Sequence, residues 1–244
     1  MSIVRSEPRV LAAKAAKRVW GTWSTVVAVC ETEGHIDAAE NGRVVVAPIA
    51  RDEFEGFTRL MRAGQLDGED YLFVRGLERT RRVGAGDLFG GYSVADGSLL
   101  ATVWVHRASH SERLEGIAPG MYREPPPGTV LTDGLYCFPN ARRQGLGTET
   151  LTGLLAQLER EGTRRAFAHI DSDNVASMST FGRVGYRLCD VERRNAFRLG
   201  IWRSAWRPLQ PETLLAWASC QRVPESGASA QVSSPVTCSE LLAR

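Results

Sequence analysis

The run RRQGLGT, Arg142 to Thr148, lies between an apolar stretch that ends at Pro139 and the periodic leucines Leu151, Leu154, Leu155 and Leu158. That order reads as strand, tight turn, helix N-terminus. The first helical turn leaves N–H groups without intrahelical partners, and the helix dipole adds roughly half a positive charge there, so such a turn suits a phosphate-bearing ligand. Gly145 and Gly147 keep side chains out of its way.

A second pattern follows at Asn174, in the segment NVASMSTFGRVGY. Together the two resemble the paired signatures of the Gcn5-related N-acetyltransferase (GNAT) superfamily, specifically over Leu131 to Tyr186 and more loosely over Val44 to Trp202. The resemblance implies a mixed, mostly antiparallel sheet with splayed central strands, flanked by helices, in the α/β (α+β) class. It implies that acetyl-CoA is the co-substrate, with its pyrophosphate held by Arg142, Arg143, Gln144, Gly145, Leu146, Gly147 and Thr148, chiefly through backbone amides. The main chain of Leu135, Tyr136 and Cys137 would run beside the pantetheine arm and polarise the thioester, and Asn174 and Ser177 would contact that arm. Transfer in this family is direct, so Cys137 contributes its backbone and not its thiol.

Acyl transfer to an amine needs a base. Asp133 opens the strand before the turn, and even spacing puts its side chain on the face of those of Leu135 and Cys137; some polyamine-acetylating relatives carry an acid at the matching place. His169 is its competitor, on the neighbouring strand, with an imidazole that titrates near neutral pH. Many members supply a proton to the thiolate from a tyrosine where this chain has Phe181, and phenylalanine has none to give. Tyr136 and Tyr186 are substitutes in kind, although Tyr186 matches the family's packing aromatic. His106 and His110 share a spacing that two metal ligands can use on a helix, but the surroundings read as loop, and no metal is expected.

The elements that must position these residues follow from periodicity. Arg43 to Ile49 reads as a strand, Arg51 to Met61 as a helix, and Gly64 to Asp70 as a loop. Leu88 to Val94 and Leu99 to Arg107 form a hairpin about Asp96-Gly97. Ala108 to Thr129, with its glycines and the run Pro125 to Pro127, reads as a long flap over the acceptor side. Strands follow at Leu131 to Phe138 and Arg164 to Ile170, and a last pair at Tyr186 to Asp190 and Ala196 to Trp202. The domains expected are an N-terminal extension over 1–42 (a basic helix Pro8 to Val19 plus an apolar strand Thr25 to Cys30), an acetyltransferase domain over 43–203, and a largely disordered tail over 204–244.

At 244 residues and net charge +2, the chain has room for one sizeable core and no excess charge that calls for nucleic acid. It has no apolar run long enough to span a membrane and no secretion-type start, so a soluble cytoplasmic protein is expected. Five scattered cysteines suggest free thiols. The partners expected are an acyl-CoA and a small-molecule amine such as an amino sugar, amino acid or polyamine, and a homodimer is compatible. The alternatives are a protein N-terminal or lysine acetyltransferase and a catalytically silent acyl-CoA-binding module.

Overall fold

The computed structural model describes residues 22–40, 42–50, 52–55, 78–198, 201–221 and 237. Among them, eight strands form one sheet: β1 (Thr22–Glu31), β2 (Val44–Pro48), β3 (Asp87–Ser93), β4 (Leu99–His106), β5 (Thr129–Cys137), β6 (Arg165–Asp171), β7 (Arg187–Arg198) and β8 (Ile201–Pro208). Their order across the sheet is β2-β3-β4-β5-β6-β1-β7-β8. Every neighbouring pair is antiparallel except β5 and β6, which run parallel. The helices described from end to end are α1 (His35–Ala39), α2 (Ser111–Ile117), α3 (Leu146–Arg160), α4 (Val175–Arg183) and α5 (Pro211–Gln221). None of the described helices is long and apolar enough to cross a membrane.

Parallel neighbours need a crossover, and α3 provides it between β5 and β6. Its leucines recur at the spacing of one helical face, and Leu151, Leu154, Leu155 and Leu158 are fully buried. They pack with Val26, Ala28, Val103 and Val130 from the sheet and with Met178 and Phe181 from α4. On the opposite face a smaller cluster gathers Val27, Val29, Leu131, Phe167, Cys189 and Val191, joined by Tyr122 and Trp206. The sheet thus has a helical face and a second face of mixed aromatic and polar character.

Two of the domain expectations are corrected. The strand of the supposed N-terminal extension is β1, which pairs with β6 on one side and β7 on the other and so lies inside the sheet. Its consecutive Val26, Val27, Ala28 and Val29 are all buried, as befits a strand covered on both faces. At the other end, 204–221 is not a loose tail. Strand β8 continues to Pro208, and α5 packs Trp217 into the helical-face core. The basic helix Pro8 to Val19, the loop Gly64 to Asp70 and most of the helix Arg51 to Met61 lie outside the described residues.

The last strand pair also differs. A single β7 replaces the expected break between Asp190 and Ala196, because Glu192 and Asn195 within the polar run are paired internally and the chain does not turn there. Glu192 is fully buried yet accepts from Arg207 Nε at 2.7 Å and Thr213 Oγ1 at 2.6 Å. Asn195 Nδ2 donates to Thr25 Oγ1 at 2.9 Å. A polar run is a turn signal only when water is its partner. The flap over Ala108 to Thr129 is partly helical, holding a short 3-10 turn (Ala108–His110) and then α2. Cys30, Cys137 and Cys220 are free thiols, but Cys189 is disulfide-bonded, which corrects the expectation of free thiols at that position.

Candidate active site

The ladder between β5 and β6 runs from Thr129↔Arg165 to Thr132↔Ala168 and stops. Beyond it, β5 stays with β4 through Tyr136 and Cys137, while β6 stays with β1 through Asp171. The two parallel strands therefore part into a fork whose facing edges, Asp133–Cys137 and His169–Asp171, do not pair with each other. Main-chain groups along such an edge are available to a ligand laid between the strands.

A bulge in β5 shapes the fork. The register passes from Trp104↔Asp133 to Thr102↔Tyr136, so Gly134 and Leu135 together stand opposite Val103. Gly134 takes φ +60°, a left-handed conformation that glycine adopts without steric cost, and its N–H donates to Asp133 Oδ1 at 2.7 Å. The extra residue inverts the alternation of side chains. Leu135 packs against the helical-face core, and a Cβ built on Gly147 of α3 would come within 2.8 Å of Cys137 Sγ. Asp133 instead faces the second side, where its Oδ2 accepts from Tyr122 at 2.5 Å. The expected common face of Asp133, Leu135 and Cys137 is thus corrected by one inserted residue.

On the helical side, the RRQGLGT turn leads into α3 through Gly145, and no side chain caps the helix. The amides of Leu146, Gly147 and Thr148 are those that an α-helix leaves without internal partners. Arg142 to Gly145 are exposed. Arg142 folds back so that its Nε donates to the Cys137 carbonyl at 3.0 Å, with its guanidinium over the Tyr136 ring. Arg43, which motif reading overlooked, donates from Nη2 to the Gln144 carbonyl at 2.8 Å and from Nε to Glu149 at 2.8 Å. It ties the turn to the start of β2. Asn174 caps α4, accepting from Ser177 N at 3.1 Å. The N-termini of α3 and α4 so lie on either side of the fork's helical face.

Phe181 and Tyr186 form an edge-to-face pair in the core. The Tyr186 hydroxyl is paired with Thr132 Oγ1 at 3.1 Å, which supports its packing role. Burial raises the Cys137 thiol above its ordinary range, with Arg142 only partly offsetting this, so the thiol is poorly suited to act as a nucleophile.

Asp133 and His169 are the first residues beyond the last paired rung, one on each arm of the fork. The Tyr122 ring stacks on His169 with centroids 5.7 Å apart, and His106 lies 5.7 Å from Tyr122 on another side. Burial, with the positive charge of Arg193 and the proximity of His106 adding to it, pulls His169 down to about 3. The imidazole is therefore neutral and a very weak proton acceptor at neutral pH. Burial and the Asp133 carboxylate push the Tyr122 phenol well up, so it stays protonated. The two spaced histidines do not act together: His106 Nδ1 bonds the Ala85 carbonyl at 2.6 Å, and His110 Nδ1 accepts from Arg107 N at 3.0 Å.

Tyr122, Arg193 and Trp206 were not singled out from the sequence, and His106 only for its spacing from His110. The signal for Arg193 was present in the alternation of Cys189, Val191 and Arg193 down one face. That for Tyr122, an aromatic in a proline-rich loop, has no local period to mark it.

Residues 65–186, half of the chain, match the model of the acetyltransferase (GNAT) family. No curated protein matches the chain. Among solved structures, it is similar to a conserved protein of unknown function from Staphylococcus epidermidis (12% identity over 77% of this chain and 65% of that one, TM-score 0.47). It is also similar to a GCN5-related N-acetyltransferase from Sphaerobacter thermophilus (11% identity, 81% and 59%, TM-score 0.45). A third is a tandem GNAT protein from the clavulanic acid biosynthesis pathway (16% identity, 86% and 61%, TM-score 0.46). The chain spans less than two thirds of the length of each of the three.

Proposed function

The chain belongs to the acetyltransferase (GNAT) family, and from that premise we propose that it moves an acetyl or other short acyl group from CoA to the amine of a small molecule. The observation that carries this reading is the fork itself: the β5–β6 ladder stops at Thr132↔Ala168, leaving strand edges that lead to the uncapped start of α3.

Acyl-CoA would enter from the helical face. Its pyrophosphate would lie against the amides of Gly145 to Thr148, with Arg142 and Arg143 adding charge, and its pantetheine arm would lie along the Leu135, Tyr136 and Cys137 edge beside Asn174 and Ser177. An N–H of that edge would donate to the thioester oxygen as negative charge builds on it. The amine would come from the second face, where Asp133 projects. Of the two candidate bases, the low basicity of His169 favours Asp133 as the acceptor of the amine proton. The new C–N bond forms as the C–S bond breaks, and the proton held by Asp133 can pass to the departing thiolate through the Tyr122 hydroxyl 2.5 Å away.

The test is thiol release: acetyl-CoA is incubated with the protein and a panel of amino acids, amino sugars and polyamines, and free CoA is followed. Release above the acceptor-free background for at least one amine supports the reading. The second reading, a silent acyl-CoA-binding module, is favoured by Phe181 buried in the core at the position of the usual proton donor. Binding of acetyl-CoA with no release for any acceptor would establish that reading instead.

A further inference from the structure

The second face of the sheet holds a buried cation with unsatisfied donors. Arg193 is 3% exposed, yet its Nε and Nη1 have no hydrogen-bond partner, and no described side chain makes an ion pair with it. Taking a charged group out of water without partners is strongly unfavourable, so native structures rarely leave one in this state unless the site takes up something else. Beside it, His169 Nδ1 is also buried without a partner. The carboxylates within electrostatic reach are both engaged elsewhere. Asp133 holds the Tyr122 hydroxyl and the Gly134 amide, and Asp171 accepts from Thr25 Oγ1 at 3.0 Å.

The guanidinium is set among aromatic rings. The Trp206 ring lies 6.0 Å from Arg193 and 5.1 Å from Arg123, so two cations share one aromatic wall. His169 meets the same ring edge-on at 5.8 Å, and Tyr122 stacks on the other side of His169. Arg193 and Asp133 thus lie on the same face, close enough to influence each other electrostatically. A negative and a positive anchor at short range match a molecule carrying an ammonium and a carboxylate a few bonds apart.

We propose that the acceptor is a free amino acid, whose carboxylate is taken by Arg193, with His169 as a second donor, while its ammonium is directed to Asp133. This rests on the acyl-transfer reading for the role of Asp133, but the carboxylate site stands on the Arg193 geometry alone. The planar guanidinium suits a carboxylate because two parallel N–H donors meet two oxygens. Arg193 is here a binding group and takes no part in proton transfer.

The experiment is a binding comparison on the full-length protein, by calorimetry or thermal shift, with the twenty L-amino acids and their carboxamides as probes. The amide keeps the amine and side chain and removes the negative charge. At least one amino acid should bind on the order of 10- to 100-fold more tightly than its own amide, the range expected for hydrogen bonds to a charged group. Arg193→Met should abolish the difference, and Arg193→Lys, which keeps the charge but not the fork, should retain only part of it. If every amide binds as well as its acid, or if Arg193→Met folds and preserves the preference, the proposal is overturned. Acid-selective, Arg193-dependent binding without thiol release would leave the carboxylate site standing and refute acyl transfer. Thiol release with amides used as readily as acids would do the reverse.

Discussion

Asp133 and His169 were both legible in the sequence as candidate proton acceptors, because residue type and strand position are local properties. What separates them is not local. His169 is depressed to about 3 by burial and by Arg193, which comes from β7 and not from its own strand. The consequence is a testable acid lability. An unfolded His169 takes up a proton as pH falls through 6.5, whereas the folded ring resists protonation down to about 3. The unfolded state therefore binds more protons across that window, so His169 lowers stability progressively as pH falls from 6.5 toward 3, by up to ~1.4 kcal/mol per pH unit. Urea unfolding at a series of pH values should show a shallower decline for His169→Gln than for the unaltered protein; identical slopes would mean that the folded ring titrates normally. Tyr122 makes a second case. Its hydroxyl is bonded to Asp133 at 2.5 Å, so Tyr122→Phe should slow acyl transfer by about tenfold or more, as expected for removing a hydrogen bond to a charged group. An unchanged rate would detach the flap from the chemistry.

At the scale of elements, most strands and the two helices next to the fork could be read from the sequence, the clearest case being α3, whose leucine spacing matches its buried face. The β5 bulge could not. One glycine in a strand is equally a turn, a weak point or a bulge until the partner strand supplies its register. That single insertion decides which face receives Asp133. Gly134→Ala should cost ~1–2 kcal/mol, the usual penalty for a side chain in a left-handed conformation, measurable as a shift in the denaturant midpoint. The contact between α3 and the end of β5 is equally specific. A methyl on Gly147 would meet Cys137 Sγ at 2.8 Å, so Gly147→Ala should destabilise by ~1–3 kcal/mol through overpacking. Adding Cys137→Ala removes the colliding atom, and the double variant should recover a large part of that loss. Strict additivity of the two changes would show that the helix start does not rest on this strand.

At the scale of the whole molecule, the least legible feature was where the chain ends meet the sheet. An apolar segment near the N-terminus resembles an appendage because sequence distance hides its partners, yet β1 fills the position between β6 and β7. Deleting residues 1–42 should therefore abolish cooperative unfolding rather than trim a dispensable arm; a truncated protein that melts like the full chain would refute the central placement. Ligand linkage tests the other half of the architecture. Acetyl-CoA at 100 times its dissociation constant should stabilise the fold by ~2.7 kcal/mol, and Arg143→Glu, a charge reversal on the exposed turn, should largely remove that gain at the same ligand concentration. The central claim is that the fork, the helix start and the second face converge on one transfer event. Its most direct test is single-turnover formation of the acylated amine from acetyl-CoA, comparing the unaltered protein with Asp133→Asn, which preserves shape and removes the base. The rate should fall by roughly 10²- to 10⁴-fold in the variant, the usual contribution of a positioned base; product formed at the same rate by both proteins would contradict the assignment of the chemistry to this fork.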